Sequence, residues 1–322
     1  MKSNSNKSVP KVVGKSKAEP VSFVVDVGNS PTVLGIFKGD KVVDHWRLTT
    51  RKETTSDEVM NRIGGLVRFS EIKPAAITHV GLSTVVPALE RPWIKALQTL
   101  LKRPVQVVSS KNCLDCPIAY PNPATLGADR LCNVIALRDR GYKDAIVVDM
   151  GTATTFDVMK DGGFAGGIII PGISASLDVL TEKAARLMPV SIEWPDHVIA
   201  NNTDDAIRAG LLYGFMAELE TLVEKIKAEM GKKKVPVFAT GGWGRMVMGH
   251  SKVIDTYDPY LTLNGVRLVA LRGNGAAELE KDSDEYFLKR GLYALLSYRW
   301  CRILGESLVR TSAERRSRSD LP

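Results

Sequence analysis

The sequence predicts an α/β protein built from two similar halves, and three observations support this. Apolar, β-branched runs alternate with segments of helical periodicity. The 322 residues exceed the size of one small domain. Finally, FVVDVGNSPTVLGIF (23–37) returns as IVVDMGTATTFDV (146–158), each with an Asp-x-Gly turn followed by a Thr. Counting residues matches Asp26 with Asp149, Gly28 with Gly151 and Thr32 with Thr155. The two copies are too far apart for a solenoid repeat, so they indicate a duplicated domain.

The first half is predicted to start with a hairpin of strands Ser22–Val27 and Thr32–Phe37, because apolar runs flank a glycine turn. GDKVVDHWRLTT indicates a third strand. A helix is expected over Ser56–Phe69, with Ser56 as its N-cap. THVGLSTVVP follows as a buried strand that Pro87 ends, PWIKALQTLL as a helix, and PVQVVS as a strand.

Between the halves, residues 111–124 are rich in Pro, Cys and Asn and predict a loop. An amphipathic helix is expected from Thr125 to about Arg140, with Gly141 as its stop signal. The second Asp-x-Gly strand then opens the second half. GGIIIPGISASLDVL reads as strand, Pro-Gly turn and helix, and VPVFATGGWGRMV as a strand, a glycine turn and a helix.

The clearest predicted helix begins at Thr203, with two aspartates in its first turn, and ends at Gly231. Its apolar stripe consists of Ile207, Leu211, Phe215, Leu219, Leu222 and Ile226. After residue 274, Leu288, Leu292, Leu295, Leu296 and Ile303 recur at helical spacing. This spacing favours one or two further helices that dock on the body or on a second subunit.

The net charge of +8 is concentrated at the ends of the chain. Residues 1–20 carry +4 and residues 310–322 carry +2, which leaves about +2 for the body. Both ends have the composition of disordered tails, so no nucleic-acid partner is predicted. No apolar run approaches the ~20 residues that a bilayer requires, and the N-terminus lacks a signal peptide. We therefore expect a soluble, cytoplasmic protein without membrane contact.

The four cysteines, Cys113, Cys116, Cys132 and Cys301, are too few for a disulfide scaffold. The CLDC segment raises the alternatives of a zinc site and a redox motif. A structural zinc site needs four ligands, and the remaining cysteines and the four histidines are scattered. A redox motif opens a helix, whereas Pro117 and Pro121 indicate a loop. We therefore predict neither function.

The repeated turn suits phosphate binding. An Asp at the end of a buried strand, followed by Gly and hydroxyl residues, places a carboxylate beside unpaired N–H groups, which together can hold a magnesium-bound phosphate. One copy alone is common in hairpin turns that have only a structural role. Two copies and a third glycine turn, ATGGWG, fit a nucleotide held between facing hairpins. No Walker motif and no G-x-G-x-x-G opening a first helix occur.

This pattern resembles the superfamily of acetate and sugar kinases, heat-shock chaperone ATPases and actin, in which two ribonuclease-H-like halves clamp ATP. Within it, DVGN, STVVP, YPNPATLGADRLCNVIAL, DMGTATTFDV, GGIIIPGI and TLNGVRL resemble type III pantothenate kinase. The likeness runs from about Phe23 to Asn274. The combination of GADR with a downstream D-x-GTATT and GG-x-I-x-PG is specific to this family.

The resemblance implies a role for each matching residue. Asp129 corresponds to the general base. The remaining pantothenate contacts correspond to Tyr120, Gly127, Ala128, Arg130 and Thr203. The ATP contacts correspond to Asp26, Val27, Gly28, Asn29, Ser30, Pro31, Thr32, Val33, Thr152, Gly241 and Gly242. Asp149 corresponds to the ligand of a monovalent cation, potassium or ammonium, and Asp26 is assigned to Mg²⁺.

Structural alternatives exist for several of these residues. Asp129 could be an aspartate at a helix start that only pairs with neighbouring residues. Thr203 could serve as an N-cap, and Tyr120 could pack a loop. One position departs from the family pattern. Ser30 stands where Thr is usual, and Pro31 follows it with a fixed φ and no N–H, so it cannot donate to a phosphate.

The resemblance implies an ATP-dependent pantothenate kinase that is a homodimer, with ATP in the cleft between halves. The predicted segments are a disordered tail (1–20), the two halves (21–142 and 143–274) and a helical extension with a disordered end (275–322). Two other functions remain open at this point. The chain could be a non-catalytic transcriptional accessory factor that retains the nucleotide fold, or a superfamily kinase for another small acceptor.

Overall fold

A computed structural model describes residues 19–113, 115–184, 186–273 and 276–277. The predicted N-terminal tail and the predicted C-terminal helices lie outside these residues, apart from the few positions just named. The described residues belong to one compact unit that ends at Ala277. They form two β-sheets with helices packed on both. Within the described residues, no helix is both long and apolar enough to cross a bilayer.

The first sheet follows the predicted order of elements. Its strands are β1 (Val21–Val27), β2 (Pro31–Lys38), β3 (Lys41–Thr49), β4 (His79–Thr84) and β5 (Val105–Val107). Its helices are α1 (Ser56–Phe69) and α2 (Pro87–Leu101). The strand order is β3-β2-β1-β4-β5, in which β1, β2 and β3 are antiparallel neighbours and β4 and β5 run parallel to β1. Apolar residues on one face of this sheet form a core with α1 and α2.

The second sheet repeats this topology. Its strands are β6 (Ala145–Met150), β7 (Ala153–Lys160), β8 (Gly163–Pro171), β9 (Val237–Thr240) and β10 (Thr256–Tyr257). Their order is β8-β7-β6-β9-β10, again with three antiparallel strands and two parallel ones. The remaining elements are α3 (Ala128–Asp139), α4 (Ile173–Lys183), α5 (Thr203–Met230), α6 (Gly244–Met248), α7 (Leu261–Arg272) and β11 (Ala276–Ala277). The predicted class, two ribonuclease-H-like halves, is confirmed.

Helices α3 and α7 lie against each other between the two sheets. Helix α3 packs on β6, β7 and β8, whereas α7 packs on β1 and β4 of the first sheet. Strand β11 then pairs with β5. Helix α7, the last element of the predicted second half, therefore returns to the first sheet, and β11 of the predicted extension adds a strand to that sheet. The domain limits at 142 and 274 stay predictions.

The predicted starts of α1 and α5 are confirmed, but the residues predicted to cap them are wrong by one position, and the predicted start of α3 is wrong by three residues. Thr55, not Ser56, caps α1, because its hydroxyl accepts from the Glu58 N–H (3.3 Å) and Glu58 accepts from the Thr55 N–H (2.7 Å). Asn202, not Thr203, caps α5 by accepting from the Asp205 N–H (2.9 Å). Thr125 ends a separate 3-10 turn, and extended backbone separates this turn from α3.

The contact between α3 and α7 depends on a missing side chain. A Cβ at Gly265 in α7 would overlap the backbone carbonyl of Cys132 in α3. On the other face of α7, a Cβ at Gly81 in β4 would lie 2.8 Å from a Val266 methyl group. Both glycines thus permit a backbone approach that no larger residue allows.

We expect Gly265→Ala to lower the free energy of unfolding by about 1–3 kcal/mol, because the added methyl must separate α3 from α7. Urea unfolding followed by circular dichroism measures this change. Gly210→Ala in α5 is the matched control: its Cβ would enter open space, so it should be neutral or stabilise by up to about 1 kcal/mol. Equal effects of the two substitutions would contradict the assigned packing.

Candidate active site

The two Asp-x-Gly turns have the same geometry in the two sheets. In the first, Asp26 lies opposite Val33 at the end of β1. In the second, Asp149 lies opposite Thr155 at the end of β6. In both copies the glycine N–H donates to a carbonyl across the turn: Gly28 donates to Pro31 (3.1 Å), and Gly151 donates to Ala153 (3.1 Å). The predicted equivalence of the two aspartates is therefore a structural one.

The threonine equivalence predicted from residue counting is wrong. Thr32 pairs with Val27, the residue after the aspartate in β1. The residue that pairs with the corresponding Met150 is Thr154, not Thr155. The first turn is one residue longer than the second, so counting residues from the aspartate reaches different strand positions in the two copies. Thr32 and Thr154 are both buried, as expected for equivalent positions.

Pro31 has a structural role in the first turn. It begins β2, and its carbonyl accepts the hydrogen bond that closes the turn. The Thr50 N–H donates to the Ser30 carbonyl (2.7 Å) and ties the same turn to the chain after β3. The Gly28 N–H is already used within the turn. Among the described residues, the N–H groups of Asn29 and Ser30 have no backbone acceptor, so they are the donors that face solvent here.

Three predicted site carboxylates from different elements lie within electrostatic range of one another. Burial, and then the charge of Asp129, raises the pKa of Asp26 to about 7. Burial, and then the charges of Asp129, Asp157 and Asp26, raises the pKa of Asp149 to about 8. Asp26 belongs to β1 and Asp149 to β6, so the fold brings the two halves together around Asp129 of α3.

Asp26 is a buried carboxylate, and burial raises its pKa more strongly than the Ser83 side chain lowers it. Its Oδ1 atom is buried and has no hydrogen-bond partner among the described residues. Searching the same residues gives no group of three or more His, Cys, Asp and Glu side chains that could hold a metal. Mg²⁺ in nucleotide sites is commonly held by one or two carboxylates together with phosphate oxygens and water. The orphaned oxygen of Asp26 fits that mode of binding.

The GADR segment forms the start of α3. The Arg130 N–H donates to Asp129 Oδ1 (2.8 Å), which holds the carboxylate at the helix N-terminus. A Cβ at Gly127 would lie 2.5 Å from that same Oδ1, so a larger residue at 127 would displace Asp129. Burial raises the pKa of Asp129. The carboxylate is partly exposed and can accept a proton from a bound group.

Arg130 turns inward from α3 and forms a buried ion pair with Asp157 of β7, with 2.6 Å between Nε and Oδ1. Its Nη1 lies 3.4 Å from the Tyr120 hydroxyl. Tyr120 and Arg130, which were predicted as neighbours in one pocket, are therefore in contact. The sequence analysis did not identify Asp157. The sequence feature that could have identified Asp157 is an acidic residue within the apolar strand ATTFDVMK.

The third glycine turn lies on the second Asp-x-Gly turn. Gly241 has φ +83°, and a Cβ there would be 2.6 Å from Asp149 Oδ1. A Cβ at Gly242 would be 3.0 Å from Nη1 of Arg47, which belongs to β3 of the first sheet. The structure thus places Gly241 beside Asp149 and Gly242 beside Arg47, and their predicted contact with adenosine stays a prediction. Arg47 is a second residue that the sequence analysis missed.

Comparison with known proteins assigns the family. The profile described as Type III pantothenate kinase matches residues 22–225. A type III pantothenate kinase from Acidothermus cellulolyticus is 39% identical over 253 residues, which cover 77% of this chain and 96% of the relative. One from Myxococcus xanthus is 38% identical over 255 residues, covering 79% and 99%. The chain belongs to the type III pantothenate kinase family.

Two solved structures of similar fold are a putative Baf family transcriptional activator from Campylobacter jejuni and a ROK hexokinase from Thermus thermophilus. The first has 19% identity and a TM-score of 0.49, and it covers 78% of this chain and 98% of that structure. The second has 13% identity and a TM-score of 0.45, with coverage of 78% and 98%.

Among the described residues, Thr203, Cys113 and Cys116 have no hydrogen bond to Asp129 or Arg130. Thr203 is exposed at the first position of α5, which packs on α4, and no hydrogen bond found among the described residues joins it to Asp129 or Arg130. Cys113 and Cys116 are free thiols in the predicted loop, and burial raises the pKa of Cys116. Their sulfurs donate to backbone carbonyls, those of Ser110 and Pro117 respectively.

We expect Asp149→Asn to stabilise the protein at pH 8.5 but much less at pH 5. The folded-state pKa of Asp149, about 8, lies above the ordinary value of 3.8, so its ionisation lowers the free energy of unfolding progressively between about pH 4 and pH 8. Asn removes this loss, a gain of about 2–4 kcal/mol at pH 8.5. Thermal unfolding with EDTA, without Mg²⁺ or K⁺, measures the difference.

Asp144→Asn is the control of opposite sign. Lys232 lowers the pKa of Asp144, so this substitution should destabilise the protein at both pH values. A stabilisation by Asp149→Asn that is the same at pH 5 and pH 8.5 would contradict the raised pKa of Asp149.

Proposed function

We propose that this protein transfers the γ-phosphate of ATP to pantothenate and forms 4'-phosphopantothenate, the first step of coenzyme A biosynthesis. The observation that carries the proposal is that Asp129 of α3 lies within electrostatic range of Asp26 and Asp149, one from each phosphate-side turn. Membership of the type III pantothenate kinase family supports the same reaction. As an enzyme of this metabolism, it is proposed to act in the cytoplasm on these two small molecules.

Asp129 is proposed to accept the proton of the pantothenate hydroxyl. Phosphoryl transfer depends mainly on positioning and charge neutralisation, so one carboxylate beside the attacking hydroxyl is sufficient on the acceptor side. Because burial raises the pKa of Asp129, its carboxylate is a stronger base than a solvated one. Arg130 offers guanidinium donors to the substrate carboxylate. Further pantothenate contacts are proposed for Tyr120, Gly127, Ala128 and Thr203.

The two turns are proposed to bind the ATP phosphates. The outward N–H groups of Asn29 and Ser30 can donate to phosphate oxygens, and Thr152 offers a hydroxyl from the second turn. Gly241 and Gly242 have no side chains and leave room for the adenosine. Asp26 would hold Mg²⁺, which neutralises phosphate charge when bound. Asp149 would hold the monovalent cation, K⁺ or NH₄⁺.

The acceptor assay tests the proposal. Purified protein with ATP, Mg²⁺ and K⁺ should form ADP with pantothenate, but not with acetate, with glucose or without an acceptor. Asp129→Asn should fold normally and lose about 10²–10⁴-fold in turnover, because the proton acceptor is removed. Asp139→Asn, an exposed aspartate at the end of the same helix, should keep wild-type turnover.

The outcomes separate two claims. Turnover near the wild-type value in Asp129→Asn would refute the assignment of the base but leave the reaction standing. Absence of pantothenate-dependent ADP formation by the wild type would refute the reaction itself.

We also propose that the protein is a homodimer. Most of the large apolar side chains that the described residues expose fall between positions 169 and 199. They are Ile169, Val179, Leu180, Met188, Val198 and Ile199. Ile199 is 92% exposed. Exposed apolar side chains are typical of a surface that another subunit covers, and we infer that these six belong to one such surface.

Ile199→Asp should therefore dissociate the protein into single chains, because it places a charge in the proposed apolar interface. Light scattering after gel filtration should give twice the mass of one chain for the wild type. Phe69→Asp is the matched control: this side chain is 89% exposed on α1, outside the proposed surface, and its replacement should leave the dimer intact. A wild-type protein with the mass of one chain would contradict the proposal.

A further inference from the structure

Asp157 is a buried charge that the proposed reaction does not yet use. It lies in β7 of the second sheet, between Val147 of β6 and Gly167 of β8, and is fully buried. A charge at such a position is costly unless it is paired and hydrogen-bonded. The contacts of its two carboxylate oxygens therefore indicate its role.

The first oxygen of Asp157 holds Arg130. Oδ1 accepts from Nε of Arg130 at 2.6 Å, and the guanidinium carbon lies 5.3 Å from the centre of the Phe164 ring. A Cβ at Gly167 would be 2.5 Å from Nη2 and would overlap the Phe156 carbonyl. The guanidinium is thus confined by an anion, an aromatic ring and a neighbouring strand.

The second oxygen of Asp157 is held from α3 and α7. Oδ2 accepts from Nδ2 of Asn133 at 3.0 Å, and Oδ1 of Asn133 accepts from the Thr262 hydroxyl at 2.9 Å. Thr262 belongs to α7, which packs on the first sheet. Both oxygens of Asp157 are therefore engaged with protein groups, which orients the carboxylate towards Arg130 and not towards a ligand.

The remaining donors of Arg130 have weak partners. Guanidinium has five N–H groups, and Asp157 uses the one on Nε. The terminal nitrogens have only long contacts, 3.4 Å from Nη1 to the Tyr120 hydroxyl and 3.5 Å from Nη2 to the Phe156 carbonyl. Tyr120 is partly buried on the side of Nη1. A bound carboxylate can accept hydrogen bonds from the Nη1 donors in place of Tyr120, because the planar guanidinium matches the geometry of a carboxylate.

We propose that Asp157 is a positioning residue that fixes Arg130 through Nε, so that the terminal nitrogens remain available to the carboxylate of pantothenate. Asn133 and Thr262 complete the arrangement by fixing Asp157. This inference rests on the proposed function, because it requires an acceptor that carries a carboxylate. It differs from a purely structural ion pair, which would hold α3 on β7 without affecting the choice of acceptor.

The test compares pantothenate with pantothenol, its alcohol analogue without the carboxylate, as acceptors. Asp157→Asn should raise KM for pantothenate about 10–100-fold, because Arg130 loses its charged partner. KM for ATP should change little. The preference for pantothenate over pantothenol in kcat/KM should fall by about the same factor. A structural role would reduce the stability or the active fraction and leave this preference unchanged.

A double-mutant cycle shows whether Asp157 acts through Arg130. In an Arg130→Lys background, Asp157→Asn should cause no further loss of acceptor preference, because the residue that it positions is already replaced. Thr262→Val keeps the ion pair and removes only the outer hydrogen bond. It should shift the preference in the same direction by a few-fold, and it provides the test if Asp157→Asn does not fold.

The results distinguish the inference from the function on which it rests. A wild type that does not phosphorylate pantothenate would refute both. A wild type that does, with unchanged acceptor preference in Asp157→Asn and Thr262→Val, would refute the positioning role alone. Independent, additive losses from Arg130→Lys and Asp157→Asn would also refute it.

Discussion

The close contact between α3 and α7 is the constraint on which the site depends. Helix α3 packs mainly on the second sheet and also contacts β4, α7 packs on the first sheet, and Gly265 lets their backbones approach at the carbonyl of Cys132. Helix α3 carries Asp129, while the strands beneath the two helices end in Asp26 and Asp149. Since these elements are held by one contact, the relative positions of the three carboxylates follow from the packing of the two halves.

This arrangement is electrostatically unfavourable without ligands. Buried carboxylates within range of one another raise each other's pKa, and at neutral pH part of this repulsion remains in the folded state. The same repulsion creates a strong preference for cations and for ligands that bring them, as Mg–ATP does. A site of this kind lowers the stability of the free protein and binds best the ligands that neutralise it.

Unlike the charges of the three carboxylates, the buried charges of Arg130 and Asp157 are stabilised by protein groups. Their charges are buried, but they are paired at 2.6 Å, and Asn133 satisfies the second oxygen of Asp157. Burial raises the pKa of Asp157 to about 6, and Arg130 and Asn133 oppose this shift, so the pair is ionised at neutral pH without an external cation. In the proposed reaction, the acceptor side of the site is thus preorganised by protein groups, while the phosphate side depends on ligands.

The repeat of Asp-x-Gly, the GADR segment and the alternation of strands and helices were readable from the chain, because strand periodicity and turn chemistry are local properties. They determined the fold class and indicated Asp26, Asp129 and Asp149 as candidate site residues. Caps and turn lengths were misread, as at Thr55 and Thr154, because neighbouring hydroxyl residues are locally equivalent. Only the tertiary structure revealed Arg47 and Asp157, whose partners are distant in sequence. It also decided that α7 returns to the first sheet, since that choice depends on where a glycine allows two helices to meet.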